Sequence, residues 1–315
     1  MRVITHNDFD GIVSAVLVSA CEDVTDYLFV SVTELIRGKV KVTKDDIICD
    51  LPYVPGCYLW FDHHRINMPK GPINGSFKLL PSASHVIYEY YGEEKLRKYK
   101  RLVEETDIID SARFRSREDV LKPKGAILLA FTHALDNDKR YALFLTKSLK
   151  TNSVETTLRL EDVEERSRKV YETIGRYTEV IRQKTTTTDK TAITELLDRE
   201  VKEYRLVRHV QAAMYDKPMV LFATMQKNSD GKGELLHVTV GRNQFVKGYD
   251  VDIDLGRLAK QYGGGGHRTF AVFFFRTVEE YRLWKETVLK EIEDHVVFNR
   301  NMEDEVSAFD KNAHL

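Results

Sequence analysis

Three short apolar runs in the first part of the chain each end on aspartate or histidine. Val3-Ile4-Thr5 leads into His6-Asn7-Asp8-Phe9-Asp10-Gly11, Ile47-Ile48-Cys49 into Asp50, and Tyr58-Leu59-Trp60-Phe61 into Asp62-His63-His64. Runs of this length, bounded by polar residues, read as buried strands. The strand candidates are Arg2–Thr5, Tyr27–Val32, Ile47–Asp50 and Tyr58–Phe61. Helical spacing occupies Gly11–Ala20, Ala83–Tyr91 and the stretch around Leu96–Ile109. This strand-then-helix rhythm predicts a mostly parallel sheet with helices on its faces. In such sheets the ligand site lies beyond the carboxyl ends of the strands, where these acidic and histidine residues fall.

The second half has a different rhythm. Leu158–Gln183 is highly charged, with Val163, Val170, Ile174, Tyr177 and Ile181 near helical spacing, and reads as a connecting helix. The β-branched run Thr185–Thr188 is a poor continuation of that helix and marks a domain boundary. Beyond it, Ala192–Asp198, Met219–Gln226, Leu235–Gly241 and Phe270–Phe275 read as strands, with Ser229–Gly233 as a hairpin turn. Leu255–Tyr262 and Val278–His295 read as helices, and the polar Asn299–Leu315 as a fraying end. The expected fold is two α/β domains joined by a helical linker: residues 1–155 with the mostly parallel sheet, 156–185 as the linker, and 186–315 as a smaller mixed-sheet domain.

Carboxylates as close as Asp8 and Asp10 repel unless a cation neutralises them. Gly11 then permits a tight turn into the following helix. Taken singly, each motif has a plain explanation: Asp8 or Asp10 as a helix cap, Asp50 as a turn residue, His63-His64 as surface. Three strands of one sheet ending this way would instead gather two histidines and several carboxylates on one rim. Mixed nitrogen and oxygen ligands suit Mn²⁺, Co²⁺ or Zn²⁺ better than Mg²⁺ alone. A fourth piece, Glu105-Thr106-Asp107-Ile108-Ile109-Asp110-Ser111, places Asp107 and Asp110 on one helix face, and either could join the rim.

The run Tyr262-Gly263-Gly264-Gly265-Gly266-His267 is the other chemical signal. Glycines let backbone N–H groups approach an anion closely, and His267 adds a donor. Arg242 offers a planar fork for phosphate.

Composition narrows the partners. Lys+Arg 48 against Asp+Glu 49 gives a net charge of -1, unlike a general nucleic-acid coating protein. Cys21, Cys49 and Cys57 have no metal-type spacing and suggest a reducing compartment. The opening MRVITHNDFDG turns acidic at once, so no signal peptide is expected. No apolar run approaches the ~18 residues of a membrane span. A cytoplasmic chain without a membrane partner is the expectation.

These residues resemble the DHH/DHHA1 phosphoesterase superfamily, which includes RecJ-type exonucleases, small-oligonucleotide nucleases, pAp phosphatases and cyclic-dinucleotide phosphodiesterases. The resemblance rests on His6-Asn7-Asp8-Phe9-Asp10-Gly11, Asp50, Asp62-His63-His64, Asp110-Ser111-Ala112-Arg113-Phe114 and Gly263–His267, in that order. After His267 the family usually has small residues with a glycine, where this chain has Arg268-Thr269-Phe270-Ala271.

The resemblance implies a two-metal site, with Mn²⁺ expected and Co²⁺, Mg²⁺ or Zn²⁺ as substitutes. It implies that His6, Asp8 and Asp50 hold one ion. Asp10, Asp50, His63 and Asp110 would hold the other, with Asp50 bridging. Asp62, His63 and His64 would serve catalysis, and Arg242, Gly264, Gly265, Gly266 and His267 would bind substrate phosphate. The implied activity is hydrolysis of short oligonucleotides or nucleotides through a metal-activated water. An exopolyphosphatase-like hydrolase and a non-catalytic nucleotide sensor are the rival readings. The partners expected are a short oligonucleotide or nucleotide phosphate and, in a homodimer, a second copy of the chain.

Overall fold

The computed structural model describes residues 1–227 and 233–299. It divides into two compact units: residues 1–115 with 122–172, and residues 116–121 with 173 onward. Among the described residues, no helix is long and apolar enough to cross a membrane.

The first unit is built on β1 (Arg2–His6), β2 (Asp26–Val30), β3 (Asp46–Cys49), β4 (Leu59–Asp62) and β5 (Gly75–Phe77). Their order is β2-β1-β3-β4-β5, and every pairing is parallel. Strands covered on both faces should be continuously apolar, and β3 and β4 are buried throughout. Trp60 is fully buried in β4, and its indole N–H donates to the Leu51 carbonyl at 2.8 Å. Burying such a ring contributes roughly 1.5–3 kcal/mol, and the hydrogen bond removes the cost of enclosing its polar tip.

Helix α1 (Phe9–Cys21) follows β1, and its residues from Phe9 to Ser19 are all buried. A helix apolar on every side belongs in the middle of a domain. It packs against α3 (Ala83–Tyr91) and α8 (Lys139–Thr151). Its start is tightly determined. The Asp8 side chain accepts from the Gly11 N–H at 3.0 Å, and a Cβ on Gly11 would lie 2.0 Å from the His6 carbonyl oxygen. Only glycine lets the helix begin this close to the end of β1.

The predicted strand Tyr27–Val32 is cut short. Ser31 caps α2 (Val32–Ile36), its hydroxyl accepting from the Glu34 N–H at 3.2 Å while Glu34 accepts from the Ser31 N–H at 2.7 Å. This reciprocal box outweighs the β-branched character of Val32 and Thr33. The remaining helices of this unit are α4 (Glu93–Leu96), α5 (Lys100–Asp110), α7 (Gly125–Ala134) and α9 (Val154–Leu158), while the intervening α6 (Arg117–Leu121) belongs to the second unit. The connecting helix is α10 (Glu161–Lys184), and its predicted stripe from Val163 to Ile181 is buried.

In the second unit, the threonine run that ends α10 becomes β6 (Thr185–Thr187). It is followed by β7 (Thr191–Glu200), α11 (Tyr204–Met214), β8 (Met219–Lys227), β9 (Glu234–Arg242) and β10 (Tyr249–Val251). The chain continues through α12 (Leu255–Lys260), β11 (Gly265–His267), β12 (Phe270–Phe275), α13 (Val278–Trp284), α14 (Lys290–Asp294) and β13 (Val296–Phe298). A six-stranded mixed sheet has the order β11-β12-β9-β8-β7-β6, parallel only between β7 and β8. Strands β8 and β9 pair antiparallel from Met219 with Arg242 to Lys227 with Glu234. Of the predicted hairpin turn, 229–232 lie outside the described residues, as do 300–315 of the polar end.

Candidate metal centre

The first sheet grows from β1 in both directions, so the carboxyl ends of β1 and β3 flank its switch point. Asp50 follows β3 directly and adopts a left-handed conformation, with φ of 55°. A carboxylate residue tolerates that region better than most, and such strain concentrates at functional positions. Asp50 reaches toward three rings at once. Its Oδ2 is 3.6 Å from His6 Nδ1, and its Oδ1 is 3.6 Å from both His63 Nε2 and His64 Nδ1. Around this pivot, His6 Nδ1 is 2.7 Å from Asp8 Oδ2. His63 Nε2 lies 3.5 Å from Asp110 Oδ2 and 4.0 Å from Asp10 Oδ2.

The surrounding backbone aims these groups. Asp10 is buried, and its two oxygens accept from the Ala83 N–H at 2.7 Å and the Ser84 N–H at 2.9 Å. These are the first free donors of α3, at the positive end of its dipole. The Leu80 carbonyl can only accept, so the 3.0 Å contact to His63 Nδ1 fixes the proton there and leaves Nε2 as the electron-pair donor. Asp62 is fully buried and fully occupied. It accepts from the His63 N–H at 2.8 Å, from His64 Nδ1 at 2.8 Å and from the Asn67 amide at 2.6 Å. It locks the turn that presents both histidines.

Electrostatics show the cluster's need for positive charge. Burial, the Asp50 charge and the Asp8 charge push the Asp10 carboxyl up to about 7. Desolvation and the charges of Asp10 and Asp50 raise Asp110 well above the usual carboxylate range. Burial alone would lower His63, but contact with Asp50 and the charges of Asp10 and Asp110 raise it to about 10. Three subsets of these side chains could each hold an ion: His6, Asp8 and Asp50; Asp10, His63 and Asp110; and Asp50, Asp62, His63 and His64. Asp50 Oδ1 and His63 Nε2 are buried without a hydrogen-bond partner, which suits two donors that share a cation. Ligands about 2.1 Å from one ion are themselves roughly 3–3.5 Å apart, close to the spacings observed.

The structure thus brings His6, Asp8, Asp10, Asp50, His63 and Asp110 together, with Asp62 and His64 beside them. The fourth-motif alternatives separate. Asp107 is committed elsewhere, accepting from the Ser82 hydroxyl at 2.6 Å and lying 2.6 Å from His85 Nδ1. Ser82 in turn caps α3 by accepting from the His85 N–H at 3.0 Å. Sequence reasoning missed this brace, although Ser82 just before a helical pattern is a recognisable cap.

Arg242, Gly264, Gly265, Gly266 and His267 are carried by the second unit, at the end of β9 and in and before β11. The last two glycines of the run join His267 in the edge strand β11. A Cβ on Gly264 would lie 1.8 Å from the Val272 carbonyl oxygen, and one on Gly266 would lie 2.3 Å from that of Phe270. Both glycines are therefore required by the approach of β12. Gly265 has open space around its Cα. Arg242 Nε is buried without a hydrogen-bond partner.

No family model and no curated protein matches the sequence. Among solved structures, the pGpG-specific phosphodiesterase PggH from Vibrio cholerae is similar over 93% of this chain and 99% of its own, with 25% identity and a TM-score of 0.71. This end-to-end likeness supports the DHH phosphoesterase superfamily that the motifs resemble. Asp62-His63-His64 is the triplet from which the DHH name is taken. An exopolyphosphatase-related protein from Bacteroides fragilis is similar in fold at 15% identity, with a TM-score of 0.50 over 92% of each chain.

Proposed function

We propose that this chain hydrolyses the phosphodiester bond of short linear dinucleotides of the pGpG type, with two divalent cations as cofactors and Mn²⁺ preferred. The observation that carries this reading is the end-to-end likeness to PggH, combined with five further ligand-type side chains gathered around Asp50. In this reading His6, Asp8 and Asp50 hold one ion, and Asp10, Asp50, His63 and Asp110 hold the other. When bound, such ions lower the pKa of a water and neutralise charge on phosphoryl oxygens.

The chain's own residues supply the rest. Asp50 offers one oxygen to the His6 side and the other to the His63 side, so it would serve both ions. The Leu80 carbonyl keeps His63 in the tautomer that leaves Nε2 available. The α3 N–H groups hold Asp10 in register and favour its ionised form. Asp62 is a positioning residue in this reading, since all its accepting capacity goes to the turn. His64, about one third exposed and tethered by Asp62, would in this reading donate to a phosphate oxygen or the leaving oxygen. Arg242 and the second unit's glycine run would contribute substrate contacts.

The test is incubation of the metal-loaded protein with pGpG, following release of guanosine monophosphate by chromatography. Turnover that requires Mn²⁺ and disappears with Asp50→Asn is expected. An Mn²⁺-loaded, folded protein that leaves pGpG intact while cleaving polyphosphate would overturn the substrate assignment.

A further inference from the structure

The second unit carries a cationic cluster that the chemistry above does not use. Along β9 the side chains alternate. Leu236, Val238 and Val240 enter the core that also contains α12 and α13, whereas His237 and Thr239 fall on the opposite face. Phe274 pairs with His237 across the β9–β12 ladder, and their ring centroids are 5.4 Å apart. From α11, Tyr204 meets the other side of His237 at 4.9 Å. One turn further along, the Arg208 guanidinium lies over the Phe270 ring, 4.6 Å from its centroid. Arg205 is adjacent, its Nε 3.4 Å from the Tyr204 hydroxyl.

Two atoms in this cluster are incompletely satisfied. Arg208 Nε and His237 Nδ1 are both buried without a hydrogen-bond partner. Among the described residues, no carboxylate faces Arg208, whose charged neighbour is Arg205. Burial lowers Arg208 to about 10, and burial together with Arg208 and Arg205 lowers His237 to about 4. An Nε–H enclosed without an acceptor is costly, and stacking of the half-buried Arg208 on Phe270 offsets only part of that cost. Phe274, four residues along β12 from Phe270 and so on the same sheet face, is 37% exposed in a strand whose alternate residues are buried. A planar cation with an unpaired buried N–H, over the same sheet face as an exposed aromatic ring, is the pair of features that recognises a phosphate and the base attached to it.

We propose that this face of the second unit's sheet is a nucleotide subsite, with Arg208 and His237 donating to a phosphate and Phe274 stacking the base. The need for an anion follows from the cluster itself, whereas the choice of a nucleotide rests on the reading of the chain as a dinucleotide hydrolase. The two can be tested apart, because binding here requires neither metal nor turnover.

The experiment is calorimetric titration of the full chain with guanosine monophosphate in excess chelator. Guanosine and inorganic phosphate serve as separate probes. One site is expected, with the nucleotide binding more tightly than either fragment. Arg208→Gln should weaken it at least tenfold, Arg208→Lys less, and Phe274→Ala several-fold, while Asp50→Asn leaves it unchanged. Phe274 is partly solvent-facing, so its variant tests the site even if Arg208→Gln fails to fold. Wild-type affinity in both Arg208→Gln and Phe274→Ala, no binding at all, or phosphate binding as tightly as the nucleotide would each overturn the subsite. Turnover of pGpG by a protein giving one of those results would leave the catalytic proposal standing and remove only this one. Nucleotide binding through Arg208 without turnover would do the reverse.

Discussion

Asp50 Oδ1 lies 3.6 Å from His63 Nε2, and neither buried atom has a hydrogen-bond partner. An apolar enclosure would not leave a carboxylate oxygen and an imidazole nitrogen facing one another unsatisfied unless a third group served both. Asp50→Asn should therefore remove turnover and lower the content of bound Mn²⁺ by mass spectrometry. It should leave the fold intact, because among the described residues no side-chain hydrogen bond from Asp50 Oδ1 anchors another element. Its loss relieves repulsion on Asp10 and Asp110, so the metal-free variant should unfold at the same temperature as wild type or higher. A metal-free variant that melts well below wild type would show that Asp50 acts structurally.

Asp107 and Asp110 are three residues apart with opposite commitments. Asp110 faces His63, whereas Asp107 is bound to Ser82 and His85 at the start of α3. Asp110→Asn is expected to abolish turnover at little cost in stability. Asp107→Asn should cost about 1–3 kcal/mol by leaving buried donors without their acceptor. It should lower turnover only partly, because α3 would still hold Asp10, though less firmly. Denaturant unfolding and initial rates on the two variants decide this, and the reverse ranking would move the ligand to Asp107.

How much of this was legible depended on whether local signals competed. Strands β1, β3 and β4 were plain because short apolar runs end abruptly on charge, and the rim followed from them. Asp8 was ambiguous between cap and ligand, and it occupies both positions, accepting from Gly11 while touching His6. The bracing of the site was not legible, because Leu80 contributes a carbonyl and Ala83 and Ser84 contribute N–H groups, which no side chain announces. Helix α11 was missed since it begins without a side-chain cap and mixes Arg205, Arg208 and His209 with its apolar face. The strand β11 was hidden by glycine, whose presence normally argues against a strand. There the close approach of β12 overrides propensity.

The capping box at α2 provides a pH test away from the centre. Hydrogen bonds from Ser31 and from Lys139, at 3.0 Å, hold the Glu34 carboxyl down to about 2. A depressed carboxyl contributes stability above its unfolded pKa, and this is lost as pH falls through the folded value. The difference in unfolding free energy between wild type and Glu34→Gln should thus be full at neutral pH and shrink between about pH 4.5 and 2. Partial exposure and salt screening keep it near 1 kcal/mol. A difference that stays constant across that range would show that the cap does not depend on the charge.

The glycine run allows packing to be separated from ligand contact. A methyl on Gly264 would meet the Val272 carbonyl at 1.8 Å, so Gly264→Ala must push β11 from β12. Two or more kcal/mol should be lost, as for other forced overpacking. At Gly265 nothing lies within 4 Å of the added carbon, and β11 there pairs with β12 in ordinary register. Gly265→Ala should leave stability within about 0.5 kcal/mol of wild type, or raise it slightly by restricting the unfolded chain. The two variants share the chemical change and differ in what it touches. If the run contacts substrate phosphate through its backbone, Gly265→Ala should raise KM for pGpG with little change in unfolding, and Gly265→Val should raise it further. Should Gly265→Val retain wild-type KM while Gly264→Ala unfolds readily, the glycines serve strand packing alone, and phosphate recognition in the second unit would have to come from side chains.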